Sequence, residues 1–204
     1  MTKKNPKALG NSWEREFAKK LSLWWTSNED KNVFWRTDSS GARGTVHSDL
    51  QSQKGDISYN KEIGRPLIEN FVFELKRYTG IDLFCLIKGT DKQVWGWWEK
   101  LVEESIIIES VILSQRNTLE YESDKEPSYF LSGESSISGG GDRIPFLIIK
   151  IVNRGVVGFL PVGWSGVLNE NKIDHFKFKN ACIFAINKFM NSQEVLEYVR
   201  GICK

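Results

Sequence analysis

The chain of 204 residues is 40% hydrophobic, 12% aromatic and 26% charged, enough for one domain with a substantial buried core, which excludes a disordered tail or a disulfide miniprotein. The formal net charge is +2 at pH 7 and the pI about 8.3, so total charge neither requires nor excludes a polyanionic partner, and a local basic surface matters more. Cys85, Cys182 and Cys203 are odd in number and widely spaced, with no C-x-x-C pair, which argues against a disulfide framework or a structural zinc site and for a reducing cytoplasm. The basic start (Lys3, Lys4, Lys7) leads into an amphipathic segment, and no later run reaches the roughly 18 apolar residues of a membrane span. A soluble cytoplasmic protein with no membrane partner is expected.

Taken in chain order, residues 12–25 carry Trp13, Phe17, Leu21 and Trp24 at helical spacing, and Asn11 with Glu14 three positions on has capping-box spacing. Residues 33–36 read as a short strand, and the polar stretch 37–54 as a surface loop longer than a simple connection needs. Two strands follow, 56–59 and 67–76, joined through a turn containing Gly64 and Pro66, and together they read as a hairpin or meander. Trp95, Trp98, Leu101 and Val102 are spaced as on a helix running to about Ser105, while the short apolar run 106–113 admits no assignment. Residues 118–143 are polar and contain Gly139-Gly140-Gly141, which reads as a flexible insertion near 114–143 within one domain. Strands at 146–152 and 156–160 flank a turn at Asn153-Arg154-Gly155, and a last helix begins near Asn191, where Asn191 and Glu194 repeat the capping-box spacing. The expected organisation is a single domain over 1–204, with a core at about 10–160 and a C-terminal helical extension.

Chemistry concentrates in two of these strands. In Phe71-Val72-Phe73-Glu74-Leu75-Lys76 the alternation puts Phe71, Phe73 and Leu75 on one face and Val72, Glu74 and Lys76 on the other. A carboxylate and an ammonium on a strand that otherwise looks buried are costly unless paired, solvated or bound to a metal. Upstream, Asp56 and Ser58 share a face opposite Ile57 and Tyr59, so pairing of the two strands would bring Asp56 beside Glu74. Two carboxylates and a backbone carbonyl, that of Leu75, are hard oxygen ligands suited to Mg²⁺, and Lys76 could orient or deprotonate an attacking water.

A Gly-Asp, a hydrophobic strand ending Glu-x-Lys, and an upstream helix carrying a glutamate resemble the PD-(D/E)XK nuclease superfamily, most closely the archaeal-type and phage Holliday-junction resolvases. Gly10-x-x-x-Glu14 is similar to the opening helix of those enzymes, and Arg36 to Gly41 to their arginine strand and Ser/Gly loop. The resemblance covers roughly residues 10–100. It implies an α/β restriction-endonuclease-like core, a central mixed β-sheet flanked by α-helices, with catalytic groups at one edge. It also implies that Asp56 and Glu74 bind metal, that Lys76 assists the water, and that Glu14 supports the metal site. Gly55 stands where many relatives have proline, and residues 106–143 have no counterpart.

Glu-x-Lys alone is an ordinary cross-strand charge pattern; the Gly-Asp, the aromatic opposite face and the glutamate helix raise it above that. Glu14 could equally be only a cap, and Glu16 reads as a solvated charge. Arg36, Ser39, Ser40 and Arg43 are candidates for DNA phosphate contacts, against a solvated loop. His47 and Asp49 are left unassigned, and Gln93 reads as a surface glutamine. Lys172, Lys177 and Lys179, interleaved with Phe176 and Phe178, read as an amphipathic edge strand ahead of a DNA-facing one; Trp95, Trp97 and Trp98 are candidates for stacking on bases or closing a subunit interface, with core packing the better reading for Trp95 and Trp98. The expected function is a Mg²⁺-dependent DNA endonuclease, with Mn²⁺ able to substitute, acting as a homodimer on branched DNA. A restriction- or repair-type endonuclease on duplex DNA, a non-catalytic DNA-binding module and an assembly protein without a DNA role stand as alternatives.

Overall fold

The computed structural model describes residues 6–37, 55–80, 85–86, 88–106 and 143–204. The expectations for Ser39, Ser40, Arg43, His47 and Asp49, and for the insertion apart from Arg143, fall outside these residues.

Helix α1 spans Pro6–Trp25 and buries Trp13, Phe17, Leu21 and Trp24, the stripe expected from their spacing. It starts earlier than residue 12, because Pro6 suits a first helical position, where its missing N–H leaves no bond unmade. Asn11 therefore lies inside the helix and caps nothing, and the capping box expected with Glu14 does not form. The buried Ser22 hydroxyl donates to the Ala18 carbonyl and accepts from the Phe34 N–H, both at 2.8 Å, which ties α1 to strand β1 (Phe34–Arg36). β1 pairs antiparallel with β2 (Ile57–Tyr59) in a separate two-stranded ladder, Arg36 opposite Ile57.

This corrects the expected hairpin between residues 56–59 and 67–76. Residues from Arg65 to Asn70 form a helix, α2, with Pro66 in its first turn, and the next strand, β3, is Phe71–Tyr78. Proline has no N–H for a ladder and is preorganised for a helix start, so the apolar Leu67 and Ile68 are buried from a helix.

β3 is the edge of a five-stranded sheet. Its neighbour β4 (Ile144–Ile151) runs parallel to it, and β5 (Gly155–Pro161), β7 (Ala181–Ala185) and β6 (His175–Phe178) continue antiparallel, in the order β3-β4-β5-β7-β6. A parallel pair needs a crossover, and helix α3 (Lys92–Ile106) lies between β3 and β4 in the chain. The turn expected between β4 and β5 is present, with Asn153 at φ 65° and Gly155 at φ 125°.

Each sheet face has its own core. Phe71, Phe73, Leu75, Phe146, Ile148 and Phe184 pack with α1, with the short helix α4 (Ser165–Glu170) and with the C-terminal helices α5 (Ile186–Asn191) and α6 (Gln193–Ile202). On the other face Val72, Leu147, Ile149 and Phe159 meet Val94, Trp95, Trp98 and Leu101 of α3, as expected for Trp95 and Trp98. The result is an α/β architecture with a mixed central sheet flanked by helices, the fold that the resemblance implies. No helix among the described residues is long and apolar enough to cross a membrane.

Two smaller expectations shift. Lys172 precedes β6 and takes a left-handed conformation, φ 54°; β6 itself is an edge strand, and Lys179 just after it pairs with Glu99 at 3.0 Å. Asn191 closes α5, and the cap of α6 is Ser192, whose hydroxyl accepts from the Val195 N–H at 3.2 Å. Serine and asparagine both suit a cap, and the strand-like backbone of Ser192 decides between them. Ser192→Ala should lower stability by about 1 kcal/mol, read as a fall in the thermal midpoint, while Asn191→Ala should cost less.

Candidate active site

The alternation along β3 sends Phe71, Phe73 and Leu75 into the core beneath α1 and places Glu74 and Lys76 on the face toward α3, beside buried Val72. Because β3 is an edge, the N–H and carbonyl groups of Phe73 and Leu75 point away from β4 and need other partners. Asp56 supplies two of them. The Asp56 N–H donates to the Phe73 carbonyl at 2.8 Å, and the Leu75 N–H donates to Asp56 Oδ2 at 2.7 Å.

Only glycine serves before Asp56. Gly55 has φ 95°, and a Cβ there would stand 2.6 Å from the Phe73 carbonyl oxygen. A proline, with φ fixed near about −65°, could not take this path, so the departure from many relatives at this position has a local conformational cause. Thr37 secures the segment from its other side, its hydroxyl donating to the Gly55 carbonyl at 2.7 Å and its N–H to the Asp56 carbonyl at 3.0 Å.

Around Asp56 stand two ion pairs. Lys76 Nζ donates to Glu74 Oε1, both side chains about a quarter exposed, and Lys76 also lies 5.9 Å from the Trp97 ring centroid. Glu14 Oε2 on α1 sits 3.0 Å from Arg36 Nε on β1, with both side chains under a fifth exposed. The structure thus gathers Asp56, Glu74, Lys76, Glu14 and Arg36. Glu16, expected as a solvated charge, is half-exposed but bonds Lys150 at 2.8 Å, and Lys150 also lies 4.7 Å from the Trp13 ring centroid. Thr37, the Lys76 contact of Trp97 and the Arg36 partnership of Glu14 were missed; the sequence marks none of them by spacing, since each joins elements distant in the chain.

The electrostatics of the cluster are uneven. Burial, then the Glu74 carboxylate beside it, push the Asp56 carboxyl up to about 7, with Glu14 adding in the same direction; the Leu75 N–H and Lys76 oppose this without cancelling it. Burial pulls the Lys76 ammonium down, but Glu74, Asp56 and Glu14 together outweigh it and hold the ammonium above its ordinary value.

No group of three or more His, Cys, Asp or Glu side chains among the described residues is arranged to hold a metal ion, because Glu14 is turned to Arg36 and Glu74 to Lys76. The donor set available is Asp56, Glu74 and backbone oxygen. The Phe73 carbonyl is taken by Asp56, and strand geometry aims the Leu75 carbonyl at the same open edge. A partly buried carboxyl that resists ionising beside a second carboxylate fits a small divalent cation that retains most of its waters, since the cation would offset that repulsion.

An Asp on an adjoining segment and a Glu-x-Lys on the edge strand of a mixed sheet are the features of PD-(D/E)XK nucleases. Residues 5–140 match the family described as "Phage putative PDDEXK endonuclease", and the chain belongs to that family. The matched span contains Glu14, Arg36, Asp56, Glu74 and Lys76, while β4 and everything after it lie beyond. No curated protein and no solved structure matches the chain.

The raised Asp56 carboxyl has a consequence for stability. Its protonated form favours the fold, so that contribution is complete below the ordinary value near 3.8 and is lost as pH rises through about 7. Asp56→Asn keeps an oxygen for the Leu75 N–H and carries no charge. In metal-free buffer the variant should melt above the wild type at pH 8, by at least about 1 kcal/mol, with the gap closing as the pH falls toward 4.

Proposed function

We propose that this chain hydrolyses DNA phosphodiester bonds with a divalent cation, Mg²⁺ or in its place Mn²⁺, held by Asp56, Glu74 and the Leu75 carbonyl. The observation that carries this reading is the 2.7 Å bond from the Leu75 N–H to Asp56 Oδ2, which brings a partly buried carboxylate against the Glu-x-Lys strand. When bound, the cation supplies Lewis-acid stabilisation of charge developing on the phosphate oxygens. Asp56 in its ionised form and Glu74 would hold the cation, Glu74 exchanging its bond to Lys76 for that role. Lys76, already held as an ammonium, orients the attacking water for in-line displacement of the 3′ oxygen, leaving a 5′ phosphate. Arg36 offers its guanidinium to the backbone phosphates together with Ser39, Ser40 and Arg43, and Glu14 supports the site from α1.

The preferred substrate in this reading is branched DNA, a four-way junction, selected by shape and not by base sequence. Its support is the resemblance in residues 10–100, Gly10-x-x-x-Glu14 above all. Cutting two strands symmetrically calls for a homodimer with isologous contacts, and the whole chain acts as one nuclease domain in the cytoplasm.

The test is cleavage of synthetic four-way junctions and linear duplexes of the same sequence in Mg²⁺. The wild type should cut junctions at least about tenfold faster, and Asp56→Ala and Glu74→Ala should abolish cutting while leaving DNA binding intact. Equal rates on both substrates would replace the resolvase with a restriction- or repair-type enzyme. Absence of any cutting with Mg²⁺ or Mn²⁺ would overturn the nuclease reading and favour a binding module.

A further inference from the structure

Among the described residues Lys76 Nζ has two direct contacts, and the nuclease reading above, on which this inference rests, removes one of them. If Glu74 turns to a cation, its carboxylate no longer holds the ammonium. The direct contact that remains is Trp97, whose ring centroid lies 5.9 Å from Lys76 Nζ, within the range of a cation–π contact, while Asp56 and Glu14 act on the ammonium only through their charge.

The placement of Trp97 follows from the packing of α3. Trp95 and Trp98 are buried, and the Trp98 indole N–H donates to Asn180 Oδ1 at 2.8 Å, so the rotation of the helix about its axis is fixed. Val94 and Leu101, three positions before and four after, are buried, and Trp97 falls on the same line of the helix, half-exposed at the margin of the core. On β3 the alternation that puts Lys76 on this face puts Tyr78 there too. Tyr78 meets the Trp97 ring edge-on, centroids 5.4 Å apart and planes at 83°, so one indole spans both side chains and is held by the second.

We propose that Trp97 is the positioning residue for Lys76: its π face keeps the ammonium aimed into the site once Glu74 is engaged by a divalent cation. The chemistry requires an aromatic face and not apolar bulk. Phenylalanine should therefore serve in its place where leucine, of similar hydrophobicity, should not. Because Trp97 would act through Lys76, its loss should slow the chemical step and leave DNA binding unchanged.

The test has two independent readouts. In single-turnover cleavage with Mg²⁺, Trp97→Leu should be about tenfold slower or worse at saturating DNA, and Trp97→Phe should recover most of the rate. With Ca²⁺ in place of Mg²⁺, both variants should bind DNA as the wild type does. Trp97→Leu added to Lys76→Ala should slow the reaction no further. In ¹H–¹³C spectra of the wild type, the ε-methylene protons of Lys76, identified by their loss in Lys76→Arg, should be shifted upfield by the indole ring current. That shift should persist at saturating Mg²⁺ and vanish in Trp97→Leu.

A wild type that cuts DNA while Trp97→Leu cuts equally fast overturns this inference and leaves the nuclease reading intact. Lys76 methylenes at their ordinary position in the wild type, or released by Mg²⁺, overturn it without reference to activity or to whether the leucine variant folds. A wild type that neither cuts DNA nor responds to Mg²⁺ overturns the nuclease reading, and this inference with it.

Discussion

The candidate site hangs on one hydrogen bond, from the Leu75 N–H to the Asp56 carboxylate. An edge strand leaves every second backbone group without a sheet partner, and β3 is such an edge. Among the described residues no strand covers that edge. Asp56 stands there instead, its N–H satisfying the Phe73 carbonyl and its side chain the Leu75 N–H. A structural need of the sheet thereby places a carboxylate where the face of Glu74 and Lys76 meets the edge. The positive φ of Gly55 and the bonds from Thr37 serve that one placement.

The surrounding charges explain why the placement matters. Glu14 is matched by Arg36 and Glu74 by Lys76, whereas among the described residues the Asp56 carboxyl has the Leu75 N–H as its donor and no cation paired with it. In a partly buried setting the unmatched carboxyl resists ionising. The cluster is therefore short of positive charge at one point, between two oxygen donors on adjoining segments. That deficiency gives the divalent-cation reading a basis in electrostatics as well as in the Glu-x-Lys pattern.

Much of this was legible in the sequence where a local rule governs. The period of two along residues 71–76 assigned the faces of β3 correctly, because aromatic residues on one side leave the charged ones only the other. The period of α3 was legible for the same reason, through Trp95, Trp98 and Leu101. What the sequence hid was partnership. Residues 56–59 looked like one arm of a hairpin, yet β2 pairs with β1, because Pro66 commits the intervening segment to helix α2. Asn11 and Glu14 looked like a cap, yet α1 extends back to Pro6 and frees Glu14 to meet Arg36 on β1. Motif spacing cannot report a contact made through a fold, and so Thr37 left no signature and Trp97 stood out only as one of three neighbouring tryptophans, not as the partner of Lys76.

The central claim is that Asp56, Glu74 and the Leu75 carbonyl form one cation site. Crystals soaked in Mn²⁺ and measured at its absorption edge test it directly. The account predicts an anomalous peak bridged by the Asp56 and Glu74 carboxylates, with the Leu75 carbonyl at ligand distance and Lys76 displaced from Glu74. A peak held by other residues, with Glu74 still bonded to Lys76 and nothing between the two carboxylates, would contradict it.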